Sequence, residues 1–279
     1  MLKGLYTATS AMIAQERRTE MLSNNIANAN TPGYKADEGA MRAFPEMLLS
    51  RMESGRFQTS SGKGFSVPLQ SPIGGINTGT YMQELIPQFT QGTLKTTDQT
   101  TDVALVENNV PINPETNQKS ALFYAVNTPE GVRYTKSSSI TLNAQNQLTI
   151  NGRALLSVTG QPITVQSENF KVNADGTVSE NGQNLGQIDV RVAMDTRNLA
   201  REGNDLYRTA NNQPLPSAVN NGQMSYTLSQ GVSELSNVNV TKSYTDMTTA
   251  YRAFETNQKV VQAYDKSLEK AVNEIGRVY

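Results

Sequence analysis

Histidine and cysteine, which supply most acid–base catalysis at neutral pH and most transition-metal sites, are both absent from this sequence of 279 residues. Histidine titrates near neutrality, and the cysteine thiolate is the strongest protein nucleophile and a preferred zinc ligand. Most hydrolase, transferase and zinc mechanisms would therefore need substitutes for these two residue types. This argues against an enzyme and predicts neither a metal site nor a cofactor. It also excludes disulfides, whatever the compartment.

The remaining motifs that could do chemistry fail on spacing. Gly62-Lys63-Gly64 superficially resembles a phosphate-binding loop, but its glycines are wrongly spaced and Gly64 stands where Ser or Thr would hold magnesium. The run 98–109 lacks the glycine of a calcium loop. Carboxylate pairs such as Glu234 and Asp246 are too common in a chain of this size to indicate glycoside chemistry. The sequence therefore predicts a protein that works by packing.

Composition and charge exclude several kinds of partner. The chain is 37% hydrophobic, 6% aromatic and 18% charged, which is typical of a folded but polar protein. Lys and Arg number 24 against 25 Asp and Glu, and no run of one sign marks a surface for nucleic acid or anionic lipid. No apolar stretch is long enough for a cleavable signal or a membrane span. We expect a cytoplasmic protein unless a signal-independent export route exists.

The N-terminal segment predicts an amphipathic helix, because a stripe of residues recurs in steps of three and four. The stripe consists of Leu5, Ala8, Met12, Gln15, Thr19, Leu22, Ile26 and Ala29. The pattern stops at Pro32, which biases Thr31 away from the helical region, and Gly33 permits a turn. We therefore expect the helix to end near residue 28.

A longer stripe near the C-terminus predicts a second helix. It consists of Tyr244, Met247, Tyr251, Phe254, Gln258, Val261, Asp265, Leu268, Val272 and Ile275. Asn239 is suited to cap the start of this helix. At 1.5 Å per residue, the helix would be roughly 50 Å long.

Between the two stripes, short alternating runs separated by turn residues predict β-structure. Runs 121–127 and 132–136 flank Pro129-Glu130-Gly131 and predict a hairpin, and further strands are predicted at 147–150, 162–165, 186–194 and 223–229. We expect a central all-β domain over 81–232. The connector 37–80 is predicted to be a short helix followed by a Gly- and Ser-rich extended segment. The helix is expected from the spacing of Met41, Phe44, Leu48 and Met52, with Pro45 in its first turn.

Each terminal stripe is narrow and interrupted by polar residues, so neither helix can be buried in a core of its own. We therefore predict a mixed fold in which the helices of 1–36 and 239–279 pair as a coiled coil beside the β domain. Pairing would still leave apolar residues facing outward, among them Ile13, Met21, Val260 and Tyr264. These would suit neighbouring copies of the chain. Spacing alone supports a self-contained helical hairpin equally well.

Four motifs, the first made of two stretches, resemble the flagellar rod and hook protein family, in the order in which that family carries them. They are GLYTATSAM at 4–12 with LSNNIANANTPGYK at 22–35, FTQGTLKTTDQTTDVAL at 89–105, SELSNVNV at 233–240 and YRAFETNQKVVQAYD at 251–265. From the first we single out the signature residues Asn24, Asn25, Asn28, Asn30, Gly33 and Tyr34. The asparagines could bond backbone groups of adjacent subunits, or could simply mark a helix end in an Asn-favoured loop.

The resemblance implies a structural subunit of the bacterial flagellar basal-body rod. It implies helical self-assembly, with the terminal helices inside a tube and the β domain outside, and contact with other rod and hook proteins. It also implies delivery by the flagellar export apparatus to an extracytoplasmic position, without a cleaved signal. The expected interface consists of Leu5, Ala8, Met12, Leu22, Ile26, Tyr244, Met247, Tyr251, Phe254, Val261, Leu268, Val272 and Ile275.

The subtype implied is the distal rod, with one departure from the family pattern. Where family members usually carry Gly-Phe-Phe after Asp-Val-Ala-Leu, this chain has Glu107-Asn108-Asn109-Val110-Pro111. A divergent paralogue is one explanation. A hook subunit, a rod–hook junction subunit and a secreted coiled-coil scaffold are the structural alternatives.

Overall fold

The computed structural model describes residues 2–58, 64–114, 118–222 and 224–275. Within these ranges the chain begins with helix α1 (Leu2–Ala27) and finishes with helix α2 (Val240–Ile275), and a short 3₁₀ helix covers Thr196–Asn198. Both α-helices were expected, and α1 ends where Pro32 and Gly33 predicted. Among the described residues, no helix combines the length and apolar character needed to cross a bilayer. Gly62 and Lys63 of the sequence Gly62-Lys63-Gly64 lie outside the described ranges.

The described strands all lie between the two helices. They are β1 (Asp37–Ala43), β2 (Met47–Gln58), β3 (Gly64–Ile76), β4 (Thr80–Pro87), β5 (Leu94–Thr96), β6 (Val103–Asn109), β7 (Ala121–Thr128), β8 (Gly131–Thr135), β9 (Ile140–Leu142), β10 (Leu148–Ile150), β11 (Arg153–Leu155), β12 (Lys171–Val172), β13 (Thr177–Glu180), β14 (Gln183–Gln187), β15 (Val190–Ala193), β16 (Leu199–Gly203), β17 (Leu206–Thr209), β18 (Ser225–Gln230) and β19 (Val232–Glu234).

The chain forms two compact units. The helical unit comprises Met1–Ser23, Gly39–Leu85 and Lys242–Tyr279, and the β unit comprises Asn24–Glu38 and Ile86–Thr241. The last turn of α1 and the first residues of α2 therefore belong to the β unit. The chain enters this unit through 24–38 and leaves it through 234–241.

The β unit is built around an eight-stranded sheet in the order β16-β17-β8-β7-β11-β10-β9, with β15 also pairing with β7. A three-stranded sheet β12-β13-β14 and the pairs β18–β6 and β19–β5 complete it. Strand β7 is buried on both faces: Leu122 and Tyr124 belong to one hydrophobic cluster, and Phe123 belongs to another. The Tyr124 hydroxyl donates to the Val103 carbonyl at 2.9 Å, which satisfies the one polar group in that position.

Several sequence expectations for the β unit are confirmed. Strands β7 and β8 pair antiparallel as the predicted hairpin. The Asn151-Gly152 and Asn181-Gly182 dipeptides, all with positive φ, join β10 to β11 and β13 to β14. The strand predicted at 162–165 is wrong, because these residues form only isolated bridges, Pro162 to Leu156 and Thr164 to Gln147.

The helical unit combines α1, α2 and two two-stranded sheets, β1–β4 and β2–β3. A methionine-rich cluster joins these elements: Met21 and Leu22 of α1 pack with Met82 of β4, and Met247 of α2 packs against them. Gly39 of β1 lies against this cluster, since a Cβ atom there would be 1.8 Å from the Met82 Cε. The unbranched thioether side chains fill the irregular space between helices and strand.

The predicted fold class is wrong in the connector. Residues expected to form a short helix instead form β1 and the start of β2, so β-structure is not confined to a central domain. Pro45 lies between these two strands. It separates them because proline lacks the amide donor of a ladder and holds the preceding residue, Phe44, in extended conformation. Side chains of 48–58 and 64–73 lie outside the described structure.

The predicted coiled coil is not confirmed. Helices α1 and α2 meet where Arg18 Nη2 lies 3.8 Å from Asp246 Oδ1 and where Gly4 lies against Tyr264. A coiled coil would bury its stripe positions. Tyr251 and Val272 of the α2 stripe are instead 57% and 71% exposed. The inward side of α2 is offset from these stripe positions by one residue, because Ser243 and Ala250, which precede Tyr244 and Tyr251, are only 8% and 1% exposed.

Candidate assembly surfaces and the polar junction

One side of α2 presents large apolar side chains to solvent. Tyr244, Tyr251 and Val272 are 58%, 57% and 71% exposed. They are separated by seven and twenty-one residues, so Tyr251 lies about 20° around the helix from Tyr244, and Val272 lies roughly 60° further round. We call these three residues the α2 face. Large apolar side chains exposed on one side of a helix are suited to contact with another protein surface.

A groove of about 550 Å³ lies beside the first three turns of α1. Its walls are mainly apolar, because Tyr6 and Ile13 of α1 face Phe44 and Met47 near the junction of β1 and β2. The Phe44 ring stacks on Tyr81 with centroids 5.2 Å apart, which fixes that wall. The polar lining residues are Lys3, Thr9, Ser10 and Thr78. We call this feature the α1 groove.

The predicted interface residues fall into three environments. Ala8 and Leu22 are buried, Tyr244, Tyr251 and Val272 are exposed, and the Ile275 side chain lies outside the described structure. The partly buried members are Leu5, Met12, Ile26, Met247, Phe254, Val261 and Leu268. The structure thus brings Leu22 and Met247 together in the methionine-rich cluster. That any of these residues mediates assembly stays a prediction.

Asn25 organises the place where the chain enters the β unit. Its Oδ1 accepts from the Asp37 amide at 2.9 Å and from the Tyr34 hydroxyl at 3.2 Å, and its Nδ2 donates to the Asp37 carbonyl at 2.8 Å. Asn25 and Tyr34 are only 3% and 4% exposed. The side chain therefore substitutes for a strand partner and holds the loop after α1 against the helix end.

The other signature residues have local or close-packing roles. Asn28 Nδ2 donates to the Asn24 carbonyl at 2.9 Å within the last helical turn, while Asn24 and Asn30 are exposed. Gly33 adopts φ +75°, and a Cβ atom there would lie 2.2 Å from the Lys136 carbonyl oxygen. Only glycine satisfies both conditions.

Arg201 holds the same loop from the side of β16. Its Nη1 donates to Asp37 Oδ2 at 2.6 Å, and its Nη2 donates to Asp205 Oδ1 at 3.3 Å. The guanidinium carbon lies 4.3 Å from the centre of the Tyr34 ring, a cation–π arrangement. Burial raises the pKa of Asp37 and of Asp205, although Arg201 acts in the opposite direction on both. Two carboxylates thus share one planar cation.

A buried ion pair joins the incoming and outgoing segments of the β unit. Lys35 Nζ donates to Glu234 Oε1 at 2.6 Å and to the Thr90 carbonyl at 2.8 Å. The side chains are 0% and 2% exposed. Glu234 Oε1 also accepts from the Gly92 amide at 2.8 Å, and the Glu234 carbonyl accepts from the Gly33 amide at 2.8 Å. Burial, reinforced by the neighbouring ammonium of Lys136, lowers the pKa of Lys35 to about 8.

Asn237, in the outgoing segment, also bonds to the incoming segment at Ala36 and to residues 88–90. Its Oδ1 accepts from the Ala36 amide at 2.7 Å, and its Nδ2 donates to the Gln88 carbonyl at 2.7 Å. The same Nδ2 lies 2.9 Å from Thr90 Oγ1. We call Asn25, Tyr34, Lys35, Arg201, Glu234 and Asn237, with their partners, the polar junction.

A second buried ion pair occupies the position at which the chain departs from the family pattern. Glu107 Oε1 accepts from Lys136 Nζ at 2.6 Å and from the Leu122 amide at 3.0 Å. Both side chains are 3% exposed. Lys136 and a backbone amide thus satisfy the carboxylate that this departure places near the end of β6.

Sequence reasoning named Asn25, Gly33 and Tyr34 but not the charged residues that bind around them. Lys35 and Glu234 stand inside the quoted motifs, so a pairing of opposite charges between motifs was the available signal. Arg201 belongs to none of the four motifs and gave no signal. Across the described residues, no group of three or more potential acidic ligands is gathered closely enough to hold a metal ion.

Comparisons with known proteins bear on both ends of the chain. The family model described as "Flagella basal body rod protein" matches residues 5–35, and that described as "Flagellar basal body rod FlgEFG protein C-terminal" matches residues 229–274. The chain is 66% identical over 278 residues to the flagellar hook-basal body complex protein FlhO of Bacillus subtilis (strain 168), covering 100% of both chains. The chain belongs to the flagellar basal-body rod protein family.

More distant members of the rod family also align along their whole length. The flagellar basal-body rod protein FlgG of the same organism is 28% identical over 284 residues, covering 98% of this chain and 99% of the relative. FlgF of Mesorhizobium japonicum is 27% identical over 280 residues, covering 99% of both. The rod family consists of structural components of the flagellar basal body. In this member, Lys35 and Glu234 join the two regions that the family models match.

Proposed function

We propose that the chain is a structural subunit of the flagellar rod that polymerises through its helical unit into a helical tube and transmits torque. The identity of 66% over the full length of a hook-basal body complex protein carries this proposal. Torque is transmitted through packed, non-covalent contacts between subunits, so no bond is made or broken and no cofactor is needed.

The two surfaces of the helical unit suit contact between copies. We assign the α1 groove of one copy as the place where the α2 face of a second copy binds. Because groove and face are different surfaces, the contact is heterologous, and such contacts propagate as a helix when they do not close. Charge supports the pairing: Lys3 lines the groove, and Asp265 lies at heptad spacing between Tyr251 and Val272.

A triple substitution tests this assignment. Changing Tyr244, Tyr251 and Val272 to serine should abolish assembly of the purified chain, measured by sedimentation and electron microscopy, and motility when it replaces the cell's own copy. The matched control changes three exposed apolar residues of the β unit, Ile112, Val132 and Val158, which are 60%, 42% and 41% exposed. Assembly that survives the first triple, or fails equally in the control, would refute the assignment.

The proposal extends to neighbours and location. Other rod and hook proteins would meet the subunit above and below, and the flagellar export apparatus would deliver it to an extracytoplasmic position without a cleaved signal. We place the subunit in the distal rod. A hook or rod–hook junction subunit is the second candidate, because the relative FlhO is named a hook-basal body complex protein.

Copy number separates the two positions. Counting fluorescently labelled copies per basal body should give many copies for a rod subunit, and about one helical turn of copies for a junction subunit.

A further inference from the structure

The polar junction begins where a β-ladder ends. Strand β19 pairs with β5 from Val232 to Glu234, and one more backbone bond runs from the Leu235 amide to the Thr93 carbonyl at 2.9 Å. Beyond this point no ladder among the described residues joins the outgoing segment 235–239 to the incoming segment 33–36. The side chains of Lys35, Glu234 and Asn237 make most of the connection instead.

The side-chain bonds at this point are directional, so they fix the register of the segments, which apolar packing would not. Apolar contacts are non-directional and tolerate small slips of one segment against another. The Lys35 ammonium must meet both Glu234 Oε1 and the Thr90 carbonyl, and the same carboxylate oxygen must meet the Gly92 amide. One register of the three segments satisfies all of these bonds. A slip by a residue would leave a buried charge unpaired, which is costly.

Stability alone does not explain why a charge pair occupies this position. The desolvation of two buried charges offsets much of their attraction, and apolar replacements of a buried pair are often neutral or stabilising. The best-attested use of such groups is to select one arrangement of chain segments over near alternatives. The separation of 199 residues between Lys35 and Glu234 makes this pair a link between the two ends of the β unit.

We propose that the Lys35–Glu234 pair is a positioning element for assembly, which fixes the spacing between the last turn of α1 and the start of α2. Helix α1 ends at Ala27, eight residues before Lys35, and α2 begins at Val240, six residues after Glu234, so the pair connects the segments that lead from one helix and to the other. This inference rests on the proposed function, in that identically placed helices are needed for identical contacts between copies.

The chain provides a matched control. The Glu107–Lys136 pair has the same 2.6 Å separation and nearly the same burial, but its side chains bond to each other and to the Leu122 amide rather than to the incoming or outgoing segment. The Lys136 backbone, which the substitution does not change, packs against Gly33. The test variant is Lys35→Met/Glu234→Leu, and the control variant is Lys136→Met/Glu107→Leu. Each variant removes one buried pair of opposite charges, from a different place in the β unit.

The test measures a distance within the full-length chain. Because the sequence contains no cysteine, Asn24→Cys and Val240→Cys provide two unique sites for spin labels, both exposed and both in the β unit. The parent for this test is the chain that carries only these two cysteine substitutions. Pulsed electron paramagnetic resonance should give one narrow distribution of the distance between the two labels in the parent and in the Lys136→Met/Glu107→Leu variant. It should give a broadened or divided distribution in the Lys35→Met/Glu234→Leu variant. That variant should keep the native circular dichroism spectrum, and its unfolding midpoint should be at least as high as that of the parent.

A second readout uses unlabelled protein without the two introduced cysteines. The Lys35→Met/Glu234→Leu variant should assemble at least tenfold less efficiently than the natural chain, and the control variant should assemble normally. An unchanged narrow distribution, loss of the fold, or equal assembly defects in both variants would overturn the inference. If the natural chain itself does not assemble, the proposed function fails, and the distance distributions still decide whether the pair positions the helix ends.

Discussion

At the scale of single residues, Gly33 is the position where the family signature is most constrained. It combines φ +75° with a backbone carbonyl 2.2 Å from the position of a Cβ atom. Gly33→Ala should lower the free energy of unfolding of the β unit by about 3 kcal/mol or more, because it adds a backbone clash to left-handed strain. Chemical denaturation followed by circular dichroism measures the loss.

Gly152 is the matched control for Gly33. It has the same φ of +75°, but no atom lies within 4 Å of its Cβ position. Gly152→Ala should therefore cost only the conformational strain, about 1 to 2 kcal/mol. Equal losses for the two substitutions would contradict the close approach of Lys136 to Gly33.

Arg201 is a residue at which lysine cannot replace arginine. Its planar guanidinium contacts Asp37, Asp205 and the Tyr34 ring together, and an ammonium has no fork to reach both carboxylates. Arg201→Lys should cost about 2 to 3 kcal/mol of unfolding free energy. The control is Arg208→Lys, because Arg208 pairs with Glu202 while 41% of its side chain is exposed, and such pairs contribute little. Similar losses would show that Arg201 acts as an ordinary surface cation.

The buried ammonium of Lys35 predicts a specific dependence on pH. Its pKa of about 8 in the folded protein lies below the value near 10.4 expected in the unfolded chain. Between these values the unfolded chain binds the proton and the folded chain does not. The stability contributed by this group is therefore complete above about pH 10.4, and is lost as pH falls through about 8.

Denaturation of the natural chain and the Lys35→Met/Glu234→Leu variant at several pH values measures this contribution. The unfolding free energy of the natural chain, relative to the variant, should increase as pH rises from about 8 to about 10. The variant serves as the control, since the two proteins differ only at Lys35 and Glu234. A constant difference would mean that Lys35 titrates at its ordinary pKa.

At the scale of elements, the sequence predicted what depends on neighbours along the chain. The end of α1 followed from Pro32 and Gly33, and the β7–β8 hairpin followed from alternation around a turn. The spacing of Met41, Phe44, Leu48 and Met52 misled, because four residues at helical spacing form too short a pattern to outweigh strand pairing. Strand β2 pairs with β3 from Met47 to Gln58, and that pairing decides its conformation.

The candidate site was predictable only in part, for a related reason. Asn25, Gly33 and Tyr34 act on residues close in sequence and belong to a recognisable motif. Arg201 reaches Asp37 across 164 residues, and nothing in the local sequence of either indicates that partner. The coiled coil failed as a prediction because periodicity shows which residues share a helix face, but not what covers that face.

The methionine-rich cluster gives a prediction for the elements of the helical unit. Met82 is 6% exposed and packs with Met21 and Leu22, so Met82→Ala should destabilise this unit by about 2 to 4 kcal/mol. Amide hydrogen exchange along the first part of α1 measures the loss. Met47→Ala is the control, because Met47 is 55% exposed and its truncation should cost under about 0.5 kcal/mol. Equal exchange in the two variants would mean that β4 does not support α1.

At the scale of the whole molecule, the boundary between the two units runs through α1. Residues up to Ser23 belong to the helical unit, whereas Asn25 belongs to the β unit and holds the loop that leads to β1. The N-terminal helix therefore combines two separable contributions. Its first turns supply Tyr6 and Ile13 to the α1 groove, and its last turn supplies Asn25 to the polar junction.

Two deletions separate these contributions. Removing residues 2–23 should abolish assembly, because the groove is lost, and should leave the unfolding midpoint of the β unit close to that of the full chain. Removing residues 2–30 should abolish assembly and also lower the stability of the β unit by about 2 to 4 kcal/mol, because the three hydrogen bonds of the Asn25 side chain are lost. Sedimentation measures assembly, and denaturation followed by circular dichroism measures stability. Polymers formed by the shorter deletion would refute the role of the groove, and equal stability of the two deletions would refute the role of Asn25.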